Sequence, residues 1–419
     1  MSDPREHEEP SPVPAEPATL AEVARSFLRL GLTAFGGPAA HLAFMRSELV
    51  VRRRWVGEQE LLDLIGGASL LPGPTSTEVA LMLARRRKGW WGLLVGGACF
   101  IMPSVLLVLL LSWAYVHYGT TNAGAGVLFG VKPVVVAIIS NAVVGLARTA
   151  VKSWLLGAVA ALAVAAYFYG ASPVLILVGA ALVVTVVANR DRWMRGSSAA
   201  AGSSAAFWAA LHLGHRAGSP RSRLVSSRLV SSRLASSRLV PSHLVKVSLW
   251  AIFLEFLKLG SIVFGSGYVL VTYLRGDLVL HGHWLSETQL LATVAIGQIT
   301  PGPVFTTATS IGYLVGGLGG ALLATVGIFL PSFLLVAALM PVLSRARRSV
   351  WSASALDGVN AAAIALMTGV TIQLGRASLV GWLPVLVALG SLGLLVRWRV
   401  NSTWLVLAGA AVGLVHSFV

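Results

Sequence analysis

The sequence predicts an all-α polytopic membrane protein: two homologous halves in an inverted-topology repeat, each with about five spanning helices plus one re-entrant or broken Pro-Gly-Pro segment. Three observations carry that prediction. Of the 419 residues, 56% are hydrophobic and only 11% charged, with a mean hydropathy of +0.79, whereas ordinary soluble domains carry about 25% charge. The chain also matches itself at a shift of 229 residues, the step from Pro72 to Pro301. Finally, the sequence Pro-Gly-Pro interrupts an apolar run twice, at Leu71-Pro72-Gly73-Pro74-Thr75-Ser76-Thr77 and at Thr300-Pro301-Gly302-Pro303-Val304-Phe305-Thr306. Two prolines around a glycine remove backbone donors and clash with the preceding turn, so no unbroken helix passes through. In lipid such a break is tolerated only where protein buries it or a watery cavity adjoins it. A matched pair of breaks in two halves points to a transporter's binding site.

Residues 1–18 are polar, acidic and proline-rich, without the basic start of a signal peptide, and read as a disordered tail. The first half spans 19–188, with apolar segments near 20–45, 58–84, 89–116, 123–147, 153–170 and 172–188. The second spans 247–419, with segments near 247–274, 286–312, 316–343, 355–374, 379–396 and 402–418. Most approach the ~20 residues that a spanning helix requires. The repeat runs without a gap over a long stretch: Phe27-Leu28-Arg29-Leu30-Gly31 meets Phe256-Leu257-Lys258-Leu259-Gly260, Arg46 meets Arg275, Glu48 meets Asp277, and Glu58 meets Glu287. With the shift at 228, Pro103-Ser104 meets Pro331-Ser332. Between the halves, 189–246 is a basic, low-complexity stretch with Arg223, Arg228, Arg233 and Arg238 in Ser-Arg-Leu-Val units; period five suits neither helix nor strand, and it reads as a cytoplasmic linker.

The net charge of +16 does not indicate nucleic acid, because the basic residues sit in short breaks between apolar runs, where they mark cytoplasmic loops. Arg52-Arg53-Arg54 precedes the first Pro-Gly-Pro segment and Arg85-Arg86-Arg87-Lys88 follows it, so that segment should dip in and return. If segments 20–45 and 247–274 cross, each half crosses five times and the halves are inverted; if neither crosses, the count is four and parity makes them parallel. Glu22, Arg25 and Arg29, and the break at Phe35-Gly36-Gly37-Pro38, make that first segment the open point. Cys99 is the only cysteine, which excludes an internal disulfide and a cysteine metal site; no cofactor and no metal is expected.

At each Pro-Gly-Pro site a half-helix should begin at the second proline, a position where the missing N–H costs nothing. Thr75 and Ser76 in one copy, and Thr306 in the other, then offer hydroxyls at helix N-termini, which carry about half a positive charge and suit anions. Candidate substrate-binding residues are therefore Pro72, Gly73, Pro74, Thr75, Ser76, Pro301, Gly302, Pro303 and Thr306. The glycine breaks add Gly36, Gly37, Gly265 and Gly267, where backbone comes close to a ligand or to a neighbouring helix. Arg29 and Lys258 are the matched intramembrane cations. Glu78, which maps to Thr307, is the proton-coupling candidate, and His41 near the glycine break reads as a packing residue. No phosphate-binding Gly-x-x-x-x-Gly-Lys loop is present. A dianion needs none for export: about 2.3 kcal/mol per charge per 100 mV gives about 4.6 kcal/mol outward across an inside-negative membrane. An embedded enzyme would need clustered carboxylates or histidines at depth, and the sequence offers isolated ones.

The motifs Phe27-Leu28-Arg29-Leu30-Gly31, Phe35-Gly36-Gly37-Pro38, Leu71-Pro72-Gly73-Pro74, Phe100-Ile101-Met102-Pro103-Ser104 and Gly130-Val131-Lys132-Pro133-Val134, with second copies at Phe264-Gly265-Ser266-Gly267, Thr300-Pro301-Gly302-Pro303 and Phe329-Leu330-Pro331-Ser332, resemble the chromate transporter family in its long, two-domain form. The resemblance covers nearly everything except the tail and the linker. It implies efflux of chromate across a bacterial inner membrane, driven by the membrane potential or the proton-motive force, with sulfate as the natural look-alike. The expected partners are chromate, sulfate and the lipid bilayer, with a homodimer compatible with the chain and nucleic acid excluded. A sulfate or organic-anion permease would share every feature named.

Overall fold

A computed structural model describes residues 19–34, 38–69, 71–119, 121–190, 247–264, 269–346, 350–398 and 400–418. Gly36, Gly37, Gly265 and Gly267, the tail 1–18 and nearly all of the linker lie outside the described residues. In the first half the helices are α1 (Leu20–Thr33), α2 (Pro38–Met45, running on as a π-helix through Arg46–Arg52), α3 (Glu58–Ala68), α4 (Thr75–Tyr118), α5 (Asn122–Ala150), α6 (Trp154–Phe168) and α7 (Pro173–Ala188). The second half repeats the series: α8 (Leu249–Ile262), α9 (Leu270–Leu274, with a π-helix over Arg275–His281), α10 (Glu287–Ile299), α11 (Thr307–Ala346), α12 (Val350–Ser378), α13 (Trp382–Trp398) and α14 (Ser402–His416). Helix starts follow local chemistry. Thr19 and Glu22 form a capping box on α1, Ser248 at the matching position caps α8, and Ser286 with Gln289 boxes α10.

The two longest helices are hairpins. In α4, Lys88 and Gly89 leave helical geometry, with Gly89 at φ 60°, and Gly316 and Gly317 do the same in α11, with Gly317 at φ 61°. A left-handed φ of this kind is nearly strain-free only for glycine. Thr309 Oγ1 then bonds Thr325 Oγ1 at 2.7 Å. Along a continuous helix residues sixteen apart would be about 24 Å away. A Cβ on Gly96 would likewise stand 2.5 Å from the Ala84 methyl. Each long helix therefore folds into a short arm, α4a (75–87) or α11a (307–315), and a long arm, α4b (90–118) or α11b (318–346).

Arm α4a also lies back along α3. Glu60, at the start of α3, pairs with Arg86 at the end of α4a, and the Arg53 and Arg87 guanidiniums both stand over the Trp55 ring, at 5.2 and 5.3 Å. The Pro-Gly-Pro segment thus enters and leaves on one face, as the flanking arginines predict. The first apolar segment of each half, read from the sequence as a crossing, is broken and folded back in the same manner. Arg29 on α1 meets Glu48 at 3.8 Å, and Lys258 on α8 meets Asp277 at 3.1 Å. A straight run of nineteen residues would hold these partners about 28 Å apart.

The halves are inverted all the same, and packing shows it directly. Arg85, beside the turn of α4, donates to the carbonyls of Val336 (2.5 Å) and Ala337, about 30 Å beyond the turn of α11. Ser112, near the far end of α4b, bonds Ser310, close to the α11 turn, at 2.7 Å. The two turns therefore lie at opposite ends of the bundle. Parity of crossings had tied inversion to the first segment; side-by-side packing does not.

Helices α5, α6, α7, α12, α13 and α14 complete the bundle around the hairpins. Glycines let two pairs touch: Gly126 and Gly130 of α5 meet Gly413 and Gly409 of α14, and Gly358 of α12 meets Ala180 of α7. Among the described residues, four helices are both long and apolar enough to cross a membrane: α4, α5, α11 with the turn before it, and α12; four shorter apolar helices, α6, α7, α13 and α14, accompany them. Outward-facing Leu106, Leu110, Leu162, Leu182 and Leu389 are exposed, and so are Trp90, Trp154, Trp382 and Trp404 at helix ends. That is the surface of a membrane protein, apolar at mid-height with tryptophans at the rims.

Candidate functional site

Each Pro-Gly-Pro loop is held by the other half. Gly73 N–H donates to Val263 O at 2.7 Å, and Gly302 N–H donates to Ala34 O at 3.0 Å. Gly73 corresponds to Gly302 and Ala34 to Val263, so the pair of bonds is a two-fold exchange; Pro72 also forms an isolated antiparallel bridge with Phe264. Gly73 has φ 140° and Gly302 φ 99°, conformations that side chains resist. Space is also short. A Cβ on Gly73 would collide with Ser332 Oγ and stand 2.5 Å from Glu78 Oε1, while one on Gly302 would stand 3.0 Å from the Ser104 Cβ.

Helices begin here from opposite faces. Pro74 takes the extended N-cap position and α4a starts at Thr75; Pro303 caps a single 3-10 turn over Val304–Thr306, after which α11a starts. The expectation that the second proline is itself the first helical residue is corrected by one position: its fixed φ suits the extended cap, and its carbonyl accepts from the next turn, Thr77 N–H at 2.7 Å and Thr306 N–H at 3.0 Å. Ser76 and Thr306 are buried at these N-termini. Ser76 Oγ lies 3.2 Å from His41 Nδ1, and Thr306 Oγ1 lies 2.9 Å from Ser104 Oγ.

The structure places Pro72, Gly73, Pro74, Thr75 and Ser76 at a first crossing, against the break after α8, and Pro301, Gly302, Pro303 and Thr306 at a second, against the end of α1. Glu78 joins the first, fully buried, with both carboxylate oxygens lacking a hydrogen-bond partner. Arg29 and Lys258 join neither. They are half exposed: Arg29 pairs with Glu48 and Lys258 with Asp277 across the fold-backs, and Lys258 also pairs with Glu255 of its own helix. His41, read from the sequence as packing, is buried against Phe100 with Nε2 unpartnered, and stands at the crossing. Its distance from Ser76 in sequence, 35 residues, left no local signal. Ser104 and Ser332 carry the Pro-Ser signature of the repeat and prove to line the crossing from the long arms. A separate cavity of about 260 Å³ opens at the charged end of the first hairpin, lined by Trp55, Glu60, Leu83, Arg86 and Arg87. Among the described residues no three His, Cys, Asp or Glu side chains gather to hold a metal. Helix N-termini with buried hydroxyls are chemically suited to holding an anion.

Known proteins resemble this chain over both halves. The family model described as chromate transporter matches twice, over residues 21–185 and 250–414. A chromate transport protein of Cupriavidus metallidurans is 33% identical over 400 residues, covering 95% of this chain and 93% of that one. A probable chromate transport protein of Synechococcus elongatus is 32% identical, covering 92% and 91%. An uncharacterized transporter of Methanocaldococcus jannaschii is 24% identical over 85% of this chain. No solved structure matches significantly. With both repeats matched and relatives aligned nearly end to end, the chain belongs to the chromate transporter family.

Proposed function

We propose that this protein exports chromate across a bacterial inner membrane, binding the dianion at the Pro-Gly-Pro loops. The observation that carries the reading is the reciprocal Gly73–Val263 and Gly302–Ala34 exchange, which ties the start of each half-helix to the first helix of the other half. Two positive helix ends and the hydroxyls of Ser76 and Thr306 suit a tetrahedral oxyanion. The similarity to chromate transport proteins supplies the substrate. The drive is the membrane potential or the proton-motive force: an inside-negative potential moves a dianion outward by about 4.6 kcal/mol per 100 mV. Glu78 is the coupling group, because a carboxylate near the bound dianion must be neutralised, by a proton or by another cation, before the dianion settles. Arg29 and Lys258 act through the hairpins they tie, and Gly36, Gly37, Gly265 and Gly267 let the loops approach the ligand. Sulfate, the same shape and charge, is the second reading.

Inverted vesicles with an imposed potential test this. Chromate should accumulate in proportion to the potential, and the degree of competition by sulfate separates the two oxyanions. Absence of flux for both would sink the proposal. Pro72→Ala and Pro301→Ala should each abolish flux while membrane insertion persists; wild-type flux in both would refute the paired site.

A further inference from the structure

Among the described residues, Glu78 is the one charged side chain with no exposure at all. Both its oxygens lack a hydrogen-bond partner, and so do Ser332 Oγ and Thr77 Oγ1, all three residues being fully buried. Ser332 and Glu78 share one place, and Thr77 precedes Glu78 in the first turn of α4a. Ser332 Oγ and Glu78 Oε1 crowd the same side of Gly73, where a Cβ would meet both, yet they make no bond to one another. Thr77 is the repeat partner of Thr306, and Ser332 of Ser104, the pair that does bond in the second copy. There the position of Glu78 is taken by Thr307, whose hydroxyl is satisfied by Val304 O at 2.8 Å.

A buried carboxylate without a partner is strongly disfavoured and is neutralised or binds a cation. A proton would cover one oxygen and leave the other, with two hydroxyls, unanswered. A small desolvated cation answers all of them at once, because carboxylate and hydroxyl oxygens are hard donors. The site carries a single negative charge, which fits a singly charged ion, and potassium calls for larger rings of oxygens. Helix α3 directs its C-terminal end, with its partial negative charge, into the same loop, as cation sites at broken membrane helices do.

We propose that the first crossing is a sodium site, with Glu78, Ser332 and Thr77 as side-chain ligands, and that sodium binds together with the oxyanion. The ion removes the repulsion between Glu78 and a neighbouring dianion. One sodium with one dianion still carries net negative charge, so an inside-negative potential still drives the pair outward. Joint binding rests on the transport reading; the sodium site itself does not.

Purified full-length protein is heated in sodium, lithium, potassium or choline chloride at equal ionic strength and fixed pH, without any oxyanion. Sodium should raise the midpoint saturably and potassium and choline should not. Ser332→Ala should weaken the apparent sodium affinity by about tenfold or more, Glu78→Gln should remove the sodium effect, and Ser104→Ala should keep it. Equal midpoints in all salts, a midpoint that follows pH alone, or an unchanged sodium effect in Glu78→Gln would overturn the proposal. Should Glu78→Gln fail to fold, radioactive sodium binding to Ser332→Ala decides. Chromate flux plays no part in this measurement, so sodium binding and oxyanion transport fail independently.

Discussion

At the second crossing Ser104 bonds Thr306, Thr306 and Thr307 return their hydroxyls to the carbonyls of Pro303 and Val304, and Thr300 turns to Gly297 O. At the first crossing the corresponding Ser332 and Thr77 hydroxyls and both Glu78 oxygens lack a partner. The main chain of the two loops is nearly superposable in its bonding, down to the glycine exchange. What differs is whether the side chains complete one another. Duplication has kept the frame that breaks the helices, and divergence has left the Ser and Thr hydroxyls of one copy bonded and those of the other, with Glu78, without partners. Symmetric backbone and asymmetric chemistry are separable properties, and substitutions should separate them.

The largest effect is expected where both copies depend on glycine. Gly73→Ala and Gly302→Ala force a side chain into a positive φ, costing about 1–3 kcal/mol in strain, and Gly73→Ala also drives into Ser332 and Glu78. Vesicle flux should fall about a hundredfold, the scale of a misplacement near 1 Å, with Gly73→Ala the worse of the two. Equal and mild losses would break the comparison. Next comes Glu78→Thr, which gives the first crossing the side chain of the second. It should insert normally and lose flux by about tenfold or more, the scale of a hydrogen bond to a charged group; full flux would make the difference between copies decorative. The smallest effect is on stability. Ser104→Ala leaves Thr306 short of a partner and should cost about 1 kcal/mol, whereas Ser332→Ala in sodium-free buffer removes a hydroxyl that bonds nothing and should stay within about 0.5 kcal/mol. Denaturation in detergent compares them, and equal costs would count against an open first crossing.

Much of this architecture was legible in the residues. The two Pro-Gly-Pro stretches announce broken helices because proline acts locally, and Arg52–Arg54 with Arg85–Lys88 announce a re-entrant segment because charge stays out of lipid. The fold-back of α1 against α2 was not legible. It depends on Arg29 finding Glu48 across nineteen residues, and along the sequence the run 20–45 looks like a crossing with a blemish. Counting crossings then misleads about parallel or inverted halves, since inversion resides in how α4b and α11b lie together. His41 was missed for a similar reason: its partner Ser76 belongs to another hairpin, and a single histidine has no periodicity to betray it. Glu78 stood out by lacking a repeat partner, but its isolation from donors is a property of packing alone.

The reciprocal glycine bonds have a mechanical consequence. Each Pro-Gly-Pro loop is tethered not to its own half but to the first helix of the other, so a displacement of either loop pulls on the opposite repeat. The two loops are geared together. Neither loop can move independently of the other repeat without breaking a buried amide's bond.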